Sequence, residues 1–235
     1  MPEAVGVPPN LAAWRKGMRE ELIARRLAAP AEVRREWSLA ISLLLMQALP
    51  VQAGTVVGFC WPLKAEYDAR HLMRLLRQRG ARSALPVVTQ RAQPLQFRLW
   101  QPGTVMQVGA LGIAYPVGTE QVTPDILLIP LVGFGRAGDR LGYGGGYFDR
   151  TLAALEPRPL SIGVGFELSR LETSFPQVHD VPLDAIATEA GLHWRAHNAL
   201  EVVTPRGLRD RLLELARNRA DFARLNAHTV PGTFT

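Results

Sequence analysis

Residues 125–150 read "DILLIPLVGFGRAGDRLGYGGGYFDR" and join an apolar run to a glycine-rich stretch and then to a helical pattern. The apolar residues 125–132 are typical of a buried strand. Seven glycines follow between Gly133 and Gly146. A loop that passes from a strand into a helix exposes backbone N–H groups, and the helix dipole favours an anion there. The stretch therefore predicts an α/β fold with an anion-binding loop.

The rest of the chain supports an α/β fold, because strand and helix patterns alternate along it. Buried strands are predicted at 55–61 and 160–166, and helices at 11–28, 31–49, 69–79, 146–155 and 206–225. Asp68 is the expected N-cap of the third helix. We expect a three-layer αβα sandwich with a mainly parallel, Rossmann-like sheet and an N-terminal helical pair before the first strong strand.

The expected organisation is one α/β domain with loose ends. Residues 1–10 are predicted to form a flexible tail, 11–195 the α/β domain, and 196–235 a C-terminal extension with one amphipathic helix. Neither an internal repeat nor a low-complexity linker divides the chain.

Composition narrows the class of protein. The net charge is +6, and Lys16 and Lys64 are the only lysines among 27 basic residues. The arginines alternate with acids, which disfavours a nucleic-acid-binding tail. The chain has no apolar run near the ~18 residues that a membrane span needs, and no secretory pattern at its start. With Cys60 as the only cysteine, these features predict a cytoplasmic protein without nucleic-acid or membrane partners. We expect a monomer, although no feature of the sequence fixes the oligomeric state.

The glycine stretch does not match the common phosphate loops. A Walker A loop requires Gly-Lys at its end, and in a G-x-G-x-x-G pattern Tyr147 would take the third glycine position. Arg136 and Arg140 add cationic donors, and Asp149 could hold magnesium through its carboxylate. The alternative is a tight turn with an ordinary capping acid, which the number of glycines around Arg140 disfavours.

The segment "PLVGFGRAGDRLGYGGGYFDR" resembles the signature of the 5-formyltetrahydrofolate cyclo-ligases, also called 5,10-methenyltetrahydrofolate synthetases. That signature reads approximately G-F-D-x-x-G-x-R-L-G-x-G-x-G-Y-Y-D after an apolar strand. The residues in register are Gly138, Arg140, Leu141, Gly142, Gly144, Gly146, Tyr147 and Asp149. The resemblance extends over most of residues 12–190.

The resemblance implies a set of site residues. Arg140 is the expected catalytic residue. The implied ATP contacts are Arg15, Lys16 and Arg19 of "RKGMR", then Arg140, Leu141, Gly142, Tyr143, Gly144, Gly145, Gly146, Tyr147 and Phe148. The implied folate contacts are Trp61, Glu66, Tyr143, Gly144, Gly145, Gly146 and Tyr147. The implied magnesium ligands are Asp149 and Asp184, with Asp180 as the alternative to Asp184.

Each of these assignments has a structural alternative. Arg15 and Arg19, four residues apart, could form a solvated basic helix face. Glu66 could be a surface acid of its loop, and Trp61 a core aromatic. The five histidines lack metal-ligand spacing, and no nucleophile motif is present.

The sequence also departs from the family pattern at two positions. Gly135 stands where the family has Asp, and Tyr115 replaces an acid in "GIAYP". The implied activity is ATP- and magnesium-dependent conversion of 5-formyltetrahydrofolate to 5,10-methenyltetrahydrofolate. Because of the two departures, a diverged paralogue that binds nucleotide or folate without closing the ring is the second hypothesis. An arginine-rich nucleic-acid binder is the third, and no recognition motif supports it.

Overall fold

A computed structural model of the protein describes residues 6–109 and 112–227, and it contains five α-helices in these residues. The helices are α1 (Leu11–Ala28), α2 (Ala31–Ala48), α3 (Arg70–Gln78), α4 (Tyr147–Ala154) and α5 (Pro205–Ala227). All five were predicted from the sequence. The expected N-cap of α3 is wrong: Ala69 is the N-cap, and Asp68 instead accepts a hydrogen bond from the Arg70 amide.

The strands form one large sheet and two short hairpins. They are β1 (Val56–Gly58), β2 (Arg82–Val87), β3 (Gln96–Trp100), β4 (Met106–Val108), β5 (Ala114–Pro116), β6 (Gln121–Val122), β7 (Ile126–Pro130), β8 (Gly133–Phe134), β9 (Arg140–Leu141), β10 (Leu160–Val164), β11 (Ala185–Thr188), β12 (Gly191–Ala196) and β13 (Ala199–Val203). The large sheet has the order β13-β12-β11-β10-β7-β1-β2-β3-β6, and β4-β5 and β8-β9 pair separately.

The centre of the large sheet is parallel, as predicted. β11, β10, β7, β1 and β2 run in the same direction, whereas β3, β6, β12 and β13 join antiparallel at the two sides. Residues 126–129 and 160–164 are buried throughout. Parallel strands covered on both faces are apolar along their whole length, which explains why these two strands were the clearest in the sequence.

Helices cover both faces of the sheet and give the three layers. On one face, Ile41 of α2, Leu72 of α3 and Leu208 of α5 belong to a single buried cluster. On the other face, Leu152 of α4 packs in a second cluster with Leu183. The two N-terminal helices are present, but they occupy different places: α2 joins the first face, and α1 packs its Leu22 against the β8–β9 hairpin.

The C-terminal extension continues the domain. β12 and β13 pair along residues 192–203 and add to the sheet beyond β11. α5 then returns across the sheet, where Leu208 and Leu212 are fully buried beside α2. The boundary expected at 195/196 thus falls at the end of β12. Residues 1–5 of the expected tail and 228–235 of the extension lie outside the described residues.

None of the helices within residues 6–109 and 112–227 is both long enough and apolar enough to cross a membrane.

Candidate active site

The glycine loop, residues 142–146, leaves β9 and enters α4. Gly144 and Gly146 have φ values of +88° and +63°, in the left-handed region that favours glycine. Gly146 is the N-cap of α4, and no side chain caps this helix end. Its first N–H groups therefore lie behind a loop of small residues, an arrangement suited to an anion.

Arg19 of α1 lies against this loop, and Arg15 lies near Arg19. The Arg19 Nε–H donates to the Gly142 carbonyl at 2.7 Å. Arg15 pairs with Asp180 at 2.9 Å. Burial, and then the charge of Arg15, lowers the pKa of Arg19. The spacing of four residues thus places the two guanidinium groups close to each other, with Arg19 on the loop and Arg15 on Asp180, whereas Lys16 lies on the exposed face of α1.

Arg140 holds a different position from the one expected of a phosphate ligand. Its side chain is 6 % exposed and donates to the Asp149 carboxylate and, at 2.6 Å, to the Val181 carbonyl. The Val181 amide in turn donates to Asp149 at 2.9 Å. The buried Arg140 guanidinium therefore fastens the glycine loop to the segment before β11, and its direct role in catalysis stays a prediction.

Of the other loop residues predicted to contact ATP, some are buried and some are exposed. Leu141 is fully buried beneath α1, so only its backbone could face a nucleotide. Tyr147 and Phe148 pack against the cluster beneath α4. Gly144 and Gly145 are exposed, and Tyr143 is 41 % exposed. The accessible part of the loop is therefore residues 143–145.

Glu66 lies at the same edge of the sheet, because the segment that carries it follows β1 and the glycine loop follows β7. Its Oε1 accepts a hydrogen bond from the Tyr143 hydroxyl at 2.6 Å, and its Oε2 accepts from the Leu63 amide at 2.9 Å. Burial is the main cause of the raised pKa of Glu66 and of the raised pKa of Tyr143. The structure thus joins Glu66, the acid expected to contact folate, directly to Tyr143 of the loop expected to contact phosphate.

Trp61 lies on the same segment as Glu66. Its ring is 5.8 Å from the Trp100 ring in an edge-to-face arrangement, and the Arg70 guanidinium lies 4.8 Å above it. The ring is half-buried. Trp61 is therefore held as an aromatic wall, and its contact with folate stays a prediction.

Two arginines of the site were missed in the sequence. Arg26 is buried and donates to the Tyr143 hydroxyl at 3.0 Å. Arg150 donates to the Gly145 carbonyl at 2.6 Å and lies over the Tyr147 ring. Arg26 stands four residues after Leu22, in line with the apolar stripe of Trp14, Met18 and Leu22, so its burial could be predicted but its role in the site could not. Arg150 had no signal beyond its place next to the glycine signature.

With this geometry established, comparison with known proteins assigns the family. A model of the 5-formyltetrahydrofolate cyclo-ligase family matches residues 11–189. The chain belongs to this family. The 5-formyltetrahydrofolate cyclo-ligase of Escherichia coli K12 is 30% identical over 171 residues, which cover 70% of this chain and 94% of that protein. The enzyme of the same name from Mycolicibacterium smegmatis is 29% identical over 180 residues, 73% of this chain and 91% of that one.

Solved structures agree with this assignment. The 5,10-methenyltetrahydrofolate synthetase of Aquifex aeolicus superposes with a TM-score of 0.67 at 29% identity, covering 80% of this chain and 96% of that chain. The synthetase of Mycoplasma pneumoniae has a TM-score of 0.61 at 22% identity, which supports the fold. The cyclo-ligase match ends before β12, so β12, β13 and α5 are additions of this chain to the matched region.

The two carboxylates expected to bind magnesium in this cyclo-ligase-family protein lie in separate networks. Asp149 Oδ1 is held by Arg140 and the Val181 amide. Both oxygens of Asp184 are taken by Arg158, Arg219 and Ser161.

The position of Asp184 in the sheet explains this separation. It lies at the amino end of the parallel strands, before β11, whereas the loop that leads to Asp149 leaves the carboxyl end. Asp180, the alternative, is paired with Arg15. Among the described residues, no three His, Cys, Asp or Glu side chains cluster as a metal site. Of the two predicted ligands, Asp149 keeps Oδ2 without a hydrogen bond among the described residues and could take a magnesium ion, whereas both oxygens of Asp184 are engaged and this residue does not fit.

The structure accounts for one of the two departures from the family pattern and shows the contact that the other residue makes. A Cβ on Gly135 would lie 2.7 Å from Asp139 Cγ and would overlap that carboxylate. Asp139 is buried, and its backbone carbonyl accepts from the Gly135 amide at 2.9 Å. Asp139 thus fills the space that a side chain at 135 would need. Tyr115 lies in β5 and donates to Gln107 at 3.1 Å, within the β4–β5 hairpin.

Proposed function

We propose that this protein converts 5-formyltetrahydrofolate to 5,10-methenyltetrahydrofolate and that the reaction consumes ATP and releases ADP and phosphate. The observation that carries the proposal is the hydrogen bond between Tyr143 and Glu66. It connects the glycine loop, suited to phosphate, with the acid that the family uses for folate. One site can therefore hold both substrates in contact.

The proposed chemistry has two steps. The formyl oxygen attacks the γ-phosphorus of ATP, the bond to the β-phosphate oxygen breaks, and ADP leaves. N10 then attacks the activated carbon, phosphate departs with the C–O bond electrons, and the N10 proton is lost. Such phosphoryl transfer depends on positioning and on neutralisation of phosphate charge more than on covalent catalysis.

The residues at the loop suit that task. Arg19 brings a positive charge to the loop, and Arg15, which is paired with Asp180, lies near Arg19. The Arg15 Nε–H is buried without an acceptor among the described residues, which leaves a donor for a phosphate oxygen. The N–H groups at the start of α4 add further donors. Exposed Gly144 and Gly145 let a phosphate approach the backbone closely.

The folate side of the site uses Glu66 and Trp61. A buried carboxylate accepts hydrogen bonds from N–H groups of a pterin, and the Trp61 ring offers an apolar wall.

We propose magnesium as the ion that accompanies ATP, with Asp149 as its carboxylate ligand. When bound, magnesium neutralises phosphate charge.

We further propose that the protein acts as a cytoplasmic monomer without nucleic-acid or membrane partners. Light scattering, which gives the mass in solution, tests whether it is a monomer.

One reaction tests the proposal. Wild-type protein is mixed with ATP, magnesium and 5-formyltetrahydrofolate, and the absorbance of the methenyl product is followed together with ADP. The proposal expects both products, and neither when ATP is omitted. Saturable binding of either substrate without ADP release would instead identify the non-catalytic paralogue. The position of Asp139 beside Gly135 supports the enzyme, because the β8–β9 hairpin retains a carboxylate next to the position where the family has Asp.

A further inference from the structure

Arg26 is a buried charge with an unusual set of partners. It lies in the last turn of α1, and its side chain is 3 % exposed. A guanidinium group removed from water is costly unless hydrogen bonds and an opposite charge compensate for it. The partners of Arg26 therefore indicate what this residue holds in place.

Those partners belong to three segments at the carboxyl edge of the sheet. Arg26 Nε donates to the Lys64 carbonyl at 3.0 Å, Nη1 to the Leu131 carbonyl at 3.1 Å, and Nη2 to the Tyr143 hydroxyl at 3.0 Å. These segments follow β1, follow β7 and form the glycine loop. One side chain thus fastens together the two halves of the site.

The charge of Arg26 is compensated by Glu66. Nη2 lies 3.9 Å from Glu66 Oε1, and the Tyr143 hydroxyl bridges the two by accepting from Arg26 and donating to Glu66. The backbone before Glu66 is also unusual, since Lys64 and Ala65 have φ values of +46° and +60°. Non-glycine residues keep such conformations where surrounding contacts enforce them, and the Arg26–Lys64 bond is one such contact.

We propose that Arg26 is a positioning residue, which fixes the Glu66 carboxylate in the orientation that receives the folate and keeps Tyr143 beside it. The inference rests on the proposed function for the identity of the ligand. It adds a residue on α1, outside the expected ATP and folate contacts, that controls the folate half of the site.

The proposal predicts a pH effect that a purely structural role would not produce. Burial raises the pKa of Glu66, whereas the Tyr143 bond and the charges of Arg26 and Lys64 lower it. Loss of Arg26 should therefore raise the pKa of Glu66 further. Because an acceptor carboxylate must be ionised, folate binding would be lost at a higher pH than in the wild type. The titratable or charged groups facing Glu66 are Arg26, Tyr143, Lys64 and Cys60, and Arg34, Arg35, Asp68 and His71 across an adjoining cavity.

Two measurements on the full-length protein test the proposal. The variants are Arg26→Lys and Arg26→Met, with Arg25→Met as the matched control, because Arg25 is exposed on the same helix turn and pairs with Glu21. Carbon-13 NMR of glutamate-labelled protein, with Glu66→Gln to assign the signal, follows the Glu66 carboxyl group through a pH titration. Steady-state kinetics give KM for formyl-folate, KM for ATP and kcat over the same pH range.

In Arg26→Met, the proposal expects a higher pKa for Glu66 in the NMR titration. The pH below which kcat/KM for formyl-folate falls should rise by the same amount. The proposal also expects kcat/KM for formyl-folate to fall about tenfold or more, from loss of hydrogen bonds to a charged group. KM for ATP should change by much less than KM for formyl-folate, because Arg26 reaches the glycine loop only through the Tyr143 hydroxyl and donates to none of its backbone carbonyls. Arg26→Lys should recover part of the shift, and Arg25→Met should match the wild type.

Other results would overturn the proposal. An unmoved Glu66 titration, or KM values for both substrates raised equally at every pH, would show that Arg26 only supports the fold. If Arg26→Met does not fold, Tyr143→Phe removes the bridging hydroxyl and must move the Glu66 titration in the same direction. A wild-type protein without turnover and without formyl-folate binding would refute the proposed function, while the NMR titration would still decide whether Arg26 controls Glu66.

Discussion

Arg219 of α5 forms a two-pronged ion pair with Asp184: Nη2 lies 2.6 Å from Oδ1, and Nη1 lies 3.0 Å from Oδ2. Arg158 donates to the same Oδ1 at 2.8 Å, and the Ser161 amide and hydroxyl donate to Oδ2. Planar guanidinium and carboxylate groups match in this geometry. The extension of this chain therefore attaches to the domain through the acid that the family resemblance assigned to magnesium.

Arg219→Met should accordingly destabilise the protein without changing KM for ATP. We expect a loss of about 2 kcal/mol, because two hydrogen bonds to a buried carboxylate disappear while Arg158 remains. Thermal unfolding measures the change, and Arg217→Met on the exposed side of α5 is the control. A stable Arg219→Met variant that binds ATP and magnesium more tightly would show that Arg219 blocks a metal site at Asp184.

Arg140→Gln should reduce both stability and activity. The substitution removes the ion-pair partner of the Asp149 carboxylate, which is 17 % exposed, and we expect a loss of about 2 kcal/mol. It also releases the glycine loop from Val181. Thermal unfolding and kcat/KM are measured together, and Arg136→Gln is the control, since its pair with Glu172 is exposed. An Arg140→Gln variant with normal stability but no turnover would instead favour direct contact between Arg140 and phosphate.

The glycine loop should show position-dependent tolerance. Gly144→Ala and Gly146→Ala place a side chain on left-handed backbone, which costs roughly 1–2 kcal/mol each. Gly142→Ala should be tolerated, because its φ is not left-handed and a Cβ there would meet no described atom within 4 Å. Gly145→Ala would place its Cβ 2.9 Å from the Tyr147 ring. Unfolding temperatures without substrate test these differences, and equal losses at 142 and 144 would contradict them.

The pair Gly135 and Asp139 offers a test by exchange. Gly135→Asp alone should destabilise the protein, because the new side chain overlaps the Asp139 carboxylate. Gly135→Asp combined with Asp139→Gly should recover much of the loss in unfolding temperature, since one carboxylate again occupies the space. Equal stability of the single and double variants would show that the two positions are independent.

The sequence predicted those parts of the fold that depend on local pattern. The five helices carry apolar periodicity, and the buried strands 126–130 and 160–164 are continuous apolar runs. β11 to β13 were missed because β11 is short, "AIAT", and β13 is largely exposed, so neither shows a period. The pairing of these strands depends on contacts with each other and with α5. A short stretch of sequence read by itself does not contain those contacts.

In the site, too, the residues within a recognisable motif could be predicted, whereas the contacts between distant segments could not. The family signature predicted the loop, Arg15, Arg19 and Glu66, and the structure places these groups at one edge of the sheet. The partners of Arg140 and Asp184 could not be predicted, because Val181 and Arg219 are 41 and 35 residues away in the chain. Arg26 was missed because it lies on an apolar stripe, where the pattern alone indicates a core position.

The central claim is that ATP cleavage and folate ring closure occur together in this site, and a stoichiometric measurement tests it most directly. ADP and methenyl-folate are quantified in the same reaction with limiting 5-formyltetrahydrofolate. The account predicts one ADP for each methenyl-folate formed, and neither product from Glu66→Ala. ADP release without methenyl-folate, or methenyl-folate formation without ADP, would contradict it.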